Sequence, residues 1–294
     1  MLFNKIILKE PITKGWSCDK KYCVTTSDGA RYLLRITPHA KSESRKALFE
    51  ILKKVSAHDI PMCKPIEFGT CDDGVYTLHT WVEGKDAEDV IPLLPEAEQY
   101  VLGLKAGEIL KRIHSLPAPE TQEDWYTRFT RKTDLKIKKY RECGVRFDGD
   151  DEVMKYLANN RDVLKNRPQS FQHGDYHIGN MMIENGKLII IDFDRSDFGD
   201  PWEEFNRIVW CAQSAPYFAT GMVDGYFDKT SPMEFWKSLA FYISSNTLSS
   251  IYWAMDFGQS DLDVMMKQSQ DVLSWYDNFK RVIPTWYINF AEAE

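Results

Sequence analysis

The stretch 181–191, Met-Met-Ile-Glu-Asn-Gly-Lys-Leu-Ile-Ile-Ile, leaves the chain few conformational options. Asn185-Gly186 supplies the two residues that tolerate positive φ in a tight type I′ turn, and the apolar runs on either side supply the strands, which predicts a β-hairpin. With the turn centred between 185 and 186, Asn180 falls opposite Ile191 and beside Asp192. An amide oxygen and a carboxylate then meet at the open end of the hairpin. Directly opposed strand residues hold their Cβ atoms about 4.5–5.5 Å apart, close enough for two side-chain oxygens to share metal ions. Oxygen ligands, few in number and leaving room for water and phosphate, suit Mg²⁺ better than zinc or copper. Asp175 lies five residues before Asn180, on the loop entering the same hairpin, where it could accept the proton of an attacking hydroxyl.

The remaining periodicities place this stretch within a larger plan. Residues 22–26 and 30–36 are β-rich and joined through Ser27-Asp28-Gly29, a hairpin signal. Between Lys41 and His58, the apolar residues Leu48, Ile51, Leu52 and Val55 recur on one helical face, and Ile60-Pro61 ends that helix. A further strand over 75–82 stops at Glu83-Gly84. From Pro95 onward helical spacing prevails, first through Leu102, Ala106, Ile109, Leu110 and Ile113, then near 150–165, 203–213, 233–256 and 261–281. The boundary is expected near residue 84, giving an N-terminal lobe 1–84 and a C-terminal lobe 85–294.

Composition narrows the class. A chain of 294 residues, 43% hydrophobic and 28% charged, can fill two cores, and its longest apolar run falls far short of the roughly 20 residues that span a membrane. With no leader-like N-terminus, the expectation is a cytoplasmic protein. The six cysteines form no CxxC pair and no disulfide-scaffold spacing, so reduced thiols are expected. Charge is uneven: residues 1–169 carry 29 Lys+Arg against 26 Asp+Glu, and residues 170–294 carry 8 against 18. Such an acidic half disfavours a nucleic-acid partner and would draw in a cationic small molecule.

His173-Gly174-Asp175 followed by Asn180, and then Ile191-Asp192-Phe193-Asp194, resembles the aminoglycoside phosphotransferase and choline kinase family, relatives of the protein kinases with their H-R-D-x-x-x-x-N and D-F-G motifs. The resemblance implies an α+β, bilobal protein-kinase-like fold, with a small antiparallel sheet and one helix in the first lobe and a larger, mainly helical second lobe. It also implies a phosphotransferase moving the γ-phosphate of ATP or GTP, with Mg²⁺, to a hydroxyl of an aminoglycoside-like molecule. A metabolic kinase for choline, ethanolamine or an amino sugar is the alternative, and a non-catalytic nucleotide-binding module a third reading. The absence of an A-P-E segment argues against a protein kinase. By resemblance, Asp175 is the base, Asn180 and Asp192 bind the metal, and His173 braces the loop.

Other positions follow from the same resemblance. Arg35 stands where a strand lysine usually pairs the phosphates, with Glu50, or else Glu43, as its helix partner. Backbone near Gly15, Trp16 and Ser17 would cover the phosphates, and backbone from Thr80 to Val82 would bond the nucleobase. Asp194 replaces the glycine of D-F-G, to reach a metal-bound water or cap the next segment. Asp200 opens a helix, where an acidic side chain suits the macrodipole, and His114 reads as a packed structural residue. His173 and His177 stand four apart, without the glutamate of an H-E-x-x-H zinc motif. Monomer and dimer remain open.

Overall fold

The computed structural model describes residues 1–13 and 19–288. They fall into two compact units, Met1–Asp86 with Met181–Asp192, and Ala87–Asn180 with the chain from Phe193 onward. Gly15, Trp16 and Ser17 lie outside the described residues.

The first unit is built on strands β1 (Ile6–Ile12), β2 (Lys20–Thr26), β3 (Arg31–Thr37), β4 (Pro65–Cys71) and β5 (Gly74–Thr80), with helix α1 (Ser42–Ser56) between β3 and β4. The strands form one sheet in the order β1-β2-β3-β5-β4, antiparallel throughout. Gly29, at φ 83°, makes the β2–β3 turn, and Thr26 Oγ1 donates to Asp28 Oδ1 at 2.6 Å. Alternation then sorts the two faces. Val24, Leu34, Ile36, Tyr76 and Leu78 pack on one, under Leu2, Phe3 and Ile6. The other carries Arg35 and receives α1, whose Phe49 ring meets those of Phe68 and His79. The buried residues of α1 are Phe49, Leu52 and Val55, so of the expected stripe Leu48, Ile51, Leu52 and Val55 the last two are buried, and the inner face is turned toward Phe49.

The Asn185-Gly186 hairpin forms in the expected register: Met181 faces Ile190 and Glu184 faces Lys187, with positive φ at both turn residues. It groups with the first unit, although it follows the helices of the second in sequence. The cause is backbone pairing: Lys85 and Asp86 pair with Ile183 and Met182, Ile190 N donates to Pro61 O, and Cys63 N donates to Ile190 O. A contiguous boundary near residue 84 could not express this return.

The second unit is mainly helical: Glu96–Ile113, Trp125–Glu142, Asp150–Asn159, Ile208–Ser214, Pro216–Phe227, Met233–Ala254 and Gln259–Trp275. Two of these escaped the periodicity. Pro216–Phe227 is buried continuously from Phe218 to Tyr226, so it has no polar face to create a 3.6-residue signal. Trp125–Glu142 is richly charged and buries only Trp125, Phe129, Thr133 and Tyr140. Among the described residues no helix is long and apolar enough to cross a membrane, and Cys23, Cys63, Cys71, Cys143 and Cys211 are free thiols.

Helices Glu96–Ile113 and Pro216–Phe227 touch through glycines. A Cβ at Gly103 or Gly107 would lie 2.2 Å from Phe218 O or Met222 O, and one at Gly221 or Gly225 would lie 2.3 Å from Tyr100 O or 2.1 Å from Leu104 O. The obstacles are backbone atoms, so neither helix can give locally. Gly107→Val should therefore cost about 1–3 kcal/mol, the usual range for overpacking, and lower the melting temperature by several degrees in a thermal scan. An unchanged transition would refute the backbone-to-backbone contact.

Candidate active site

The loop 173–180 leaves a short strand, Ser170–Gln172, that pairs antiparallel with Asp197–Gly199. This pairing brings the loop alongside the segment that precedes Asp197. Gly174, at φ 84°, lies against that segment, and a Cβ there would sit 1.9 Å from Arg195 O. Only glycine meets both demands, positive φ and close backbone approach.

Glu204 holds the loop from beneath. Its carboxylate is 1% exposed and accepts from Gly174 N at 3.0 Å and Tyr176 N at 3.2 Å. Burial pushes this carboxyl up, but His114, His173 and the Gly174 N–H together bring it below its ordinary range. His114 Nε2 lies 3.8 Å from Glu204, and its Nδ1 is 2.9 Å from Tyr226 OH. Three further anchors complete the fixation: Asp175 N donates to Nδ1 of the fully buried His173, Tyr176 OH donates to Ala106 O, and Ile178 N donates to Cys211 Sγ. The sequence offered Glu204 only as part of an acidic run after Asp200. Its burial arises from packing that the run does not encode.

Asp175 stands above this foundation, partly exposed, with Arg207 Nε 3.1 Å from Oδ1, His177 Nε2 3.8 Å from Oδ1 and Arg195 Nε 3.9 Å from Oδ2. Asn180 Nδ2 donates to Asp175 O at 2.9 Å. That bond commits the amide nitrogen and orients the Asn180 oxygen away from the loop backbone. Asp194 sits in the one-turn helix Phe193–Arg195, and the Phe193 ring packs on His173 at 4.3 Å.

Asp200 is a buried structural anion. It accepts both arms of Arg167 at 2.7 and 2.9 Å, the Tyr242 hydroxyl at 2.5 Å and Trp202 N at 3.0 Å. The last of these bonds caps the turn into Glu203–Arg207. Arg167 stacks 3.5 Å from the centre of the Trp202 ring, and Trp125 Nε1 donates to Tyr242 OH. Every oxygen of Asp200 is thus engaged within the protein.

In the first unit, Arg35 lies across from Lys21 on β2 and Thr77 on β5. Its guanidinium is 3.3 Å from Asp19 and 3.3 Å from Asp192, while Lys21 Nζ is 3.6 Å from Asp192 and Arg45 of α1 is 2.7 Å from Asp19. Asp192 holds φ 60°, a left-handed conformation that aspartate tolerates better than most residues. The structure does not bring Glu50 or Glu43 to Arg35: both are exposed, and Glu50 pairs with Lys53. Asp19 and Asp192 occupy that role instead, and Asp19 sits in a stretch without periodicity to announce it. Thr80 has its N–H on Lys64 O and its carbonyl bonded by the Cys63 thiol, so it has little left for a ligand, whereas Val82 follows the end of β5.

Two imidazoles make the fold acid-sensitive. Burial pushes His79 and His177 down to about 4, with nearby arginines adding to the effect. A base depressed in the folded state is protonated first in the unfolded chain. Stability should hold above the ordinary value of 6.5 and decline as pH falls from there toward 4. Denaturant midpoints between pH 7.5 and 4.5 test this, and His79→Leu should flatten part of the slope. A flat wild-type profile would contradict the burial of these rings.

The family model of the phosphotransferase enzyme family matches residues 10–236. No curated protein matches the chain. Solved structures of similar fold include a thermostable mutant of aminoglycoside phosphotransferase APH(4)-Ia in ternary complex with ADP and hygromycin B (TM-score 0.64, 17% identity, 92% of this chain and 95% of that chain). Two others are APH(2'')-IIa in complex with gentamicin (0.62, 16%, 97% and 95%) and the amicoumacin kinase hAmiN in complex with AMP-PNP, Ca²⁺ and Ami (0.63, 13%, 97% and 92%). The matched span covers most of the sequence and includes most of the antiparallel sheet, the 173–180 loop and the hairpin; the fold is kinase-like, and on the ground of that match the chain belongs to the phosphotransferase enzyme family.

Proposed function

We propose that the chain transfers the terminal phosphate of ATP to a hydroxyl of a small molecule, with Asp175 as the general base. The observation that carries this reading is the state of Asp175: partly exposed, flanked by Arg207 and Arg195, on a loop whose backbone is fixed by Glu204. Phosphoryl transfer has a loose transition state and asks mainly for positioning and charge neutralisation, and a rigid loop among cations supplies both. ADP and AMP-PNP in related structures support ATP over GTP as donor.

The oxygen chemistry of Asn180 and Asp192 fits Mg²⁺. Asn180 has its nitrogen committed to Asp175 O and its oxygen available, and Asp192 offers a carboxylate. No group of three His, Cys, Asp or Glu among the described residues could hold a metal, so water and phosphate oxygens would complete the shell, as Mg²⁺ prefers. When bound, the ion would neutralise charge on the donor phosphates. Asp175 takes the proton as the acceptor oxygen bonds to phosphorus and the bond to the departing ADP breaks. Arg35 and Lys21, released from Asp192, would hold donor phosphates, which Arg can bind bidentately. Val82 remains the better backbone candidate for the base, with Thr80 already engaged. The hygromycin B and gentamicin of related complexes support an amino-bearing acceptor, as does the negative charge of residues 170–294.

Asp175→Asn should lower turnover by about 10²–10⁴-fold, and Asp192→Ala should reduce it further, to the limit of detection. Steady-state phosphate transfer with ATP and Mg²⁺ measures both, and the reverse ranking would overturn the assigned roles. In Glu204→Gln an amide N–H would confront the Gly174 or Tyr176 N–H. Turnover should fall about ten- to a hundredfold through misplacement of the loop, with the Km for ATP little changed. Full activity in that variant would remove Glu204 from the account.

A further inference from the structure

The side chain that α1 brings toward Arg35 has the opposite sign from the glutamate that the resemblance implies. Arg35 Nη2 and Arg45 Nη2 both donate to one oxygen of Asp19, Oδ2, at 3.3 and 2.7 Å. Asp19 immediately precedes β2 and its side chain is 1% exposed, and those of Arg35 and Arg45 are largely buried with it. Two nitrogens on one oxygen can be no further apart than those two bonds laid end to end, a range at which like charges repel. A second carboxylate offsets the repulsion: Asp192 Oδ1 accepts from Arg35 Nη1 at 3.3 Å, with Lys21 Nζ 3.6 Å from Oδ2. Burial is the largest influence on the Arg45 guanidinium. With repulsion from Arg35 it outweighs the pull of Asp19 and Asp192 and holds that group below its ordinary range. The segment just before Asp19 in sequence, Lys14 to Cys18, contains no carboxylate.

We infer that Arg45 is a second residue for the donor phosphates, set beside Arg35 by the shared carboxylate of Asp19, so that two guanidiniums receive neighbouring phosphates of one nucleotide. The inference rests on the phosphotransferase reading for the identity of the donor, while the paired guanidiniums stand on the geometry around Asp19. On that reading Asp192 is committed to the metal ion, and Arg35, Arg45 and Lys21 are left around one deep carboxylate. An oligophosphate brings the several negative charges that such a trio attracts, and a guanidinium can take phosphate oxygens by two parallel bonds. Asp19 is then a positioning residue. With both arginines on its Oδ2 it fixes their spacing, and its burial keeps it from the ligand. The helix α1 thus contributes directly to holding the donor, by a cation of its own.

Calorimetric titration of the full chain with ADP and with adenosine tests this without any need for turnover. Wild type should bind ADP more tightly than adenosine. Arg45→Gln should weaken ADP about tenfold or more, since a charge-assisted hydrogen bond is lost, and leave adenosine within about twofold. Unaltered adenosine binding also shows that the variant is folded. Arg45→Lys, which keeps the charge, should recover part of the loss. Asp19→Asn makes the cluster more positive, so attraction alone would tighten ADP, whereas lost positioning weakens it; weaker binding is expected. In an Arg35→Gln background, removing Arg45 as well should cost about a further fivefold, as for two groups that each touch the ligand. No further loss there would make Arg45 a brace for Arg35 and overturn the inference. So would unchanged ADP affinity in Arg45→Gln, equal losses for ADP and adenosine, or tighter ADP in Asp19→Asn. Arg45-dependent ADP binding with no transfer from ATP to any hydroxyl would leave the inference standing and overturn the phosphotransferase reading instead.

Discussion

A buried carboxylate bonded to backbone amides organises the loop 173–180 of the second unit. Glu204 sacrifices hydration to accept from Gly174 and Tyr176, and its negative charge is tolerated because two imidazoles and oriented N–H dipoles surround it. The loop could not otherwise hold a left-handed glycine pressed against the Arg195 carbonyl. Four residues earlier, Asp200 makes the corresponding investment in Arg167, Tyr242 and Trp202, tying the strand pair beneath the loop to the helix Met233–Ala254. One carboxylate fixes the loop and the other fixes what the loop stands on. Among the described residues the Asp175 carboxylate accepts no hydrogen bond, and Arg207, Arg195 and the His177 ring are its neighbours.

The legible parts of this arrangement were those governed by local rules. Asn185-Gly186 announces its turn because few other dipeptides adopt it, and the register of ten residues follows from that one constraint. Arg35 falls within the β-rich run 30–36 and is singled out by the family resemblance, and the spacing of Asp175 to Asn180 survives because a short loop permits little variation. What stayed hidden is governed by packing. Pro216–Phe227 reads as featureless because every side of it is covered. Strand β1, with Ile7 and Leu8 exposed, lacks alternation to reveal it. Glu50 and Asp19 illustrate the same limit from both sides: a helical wheel identifies a glutamate pointing away from an apolar stripe, but it cannot say that α1 presents Arg45 toward the sheet cation through Asp19.

Charge behaves likewise. A tally over residues 170–294 is a statement about long-range potential, which salt screens beyond about 10 Å. At shorter range the balance differs: Arg207 and Arg195 stand beside Asp175, and Lys132, from the basic part of the sequence, reaches Glu203.

The Tyr176 hydroxyl ends on the carbonyl of Ala106, and the next residue, Gly107, is where one helix meets the backbone of another. The loop therefore has no height of its own; it inherits one from a contact between two helices. Exposed side chains around the loop can be exchanged without disturbing that contact, while the four glycines can change only in concert. On the reading proposed for Asp175, such a division would let a scaffold diversify its choice of acceptor over evolutionary time while the base keeps its position.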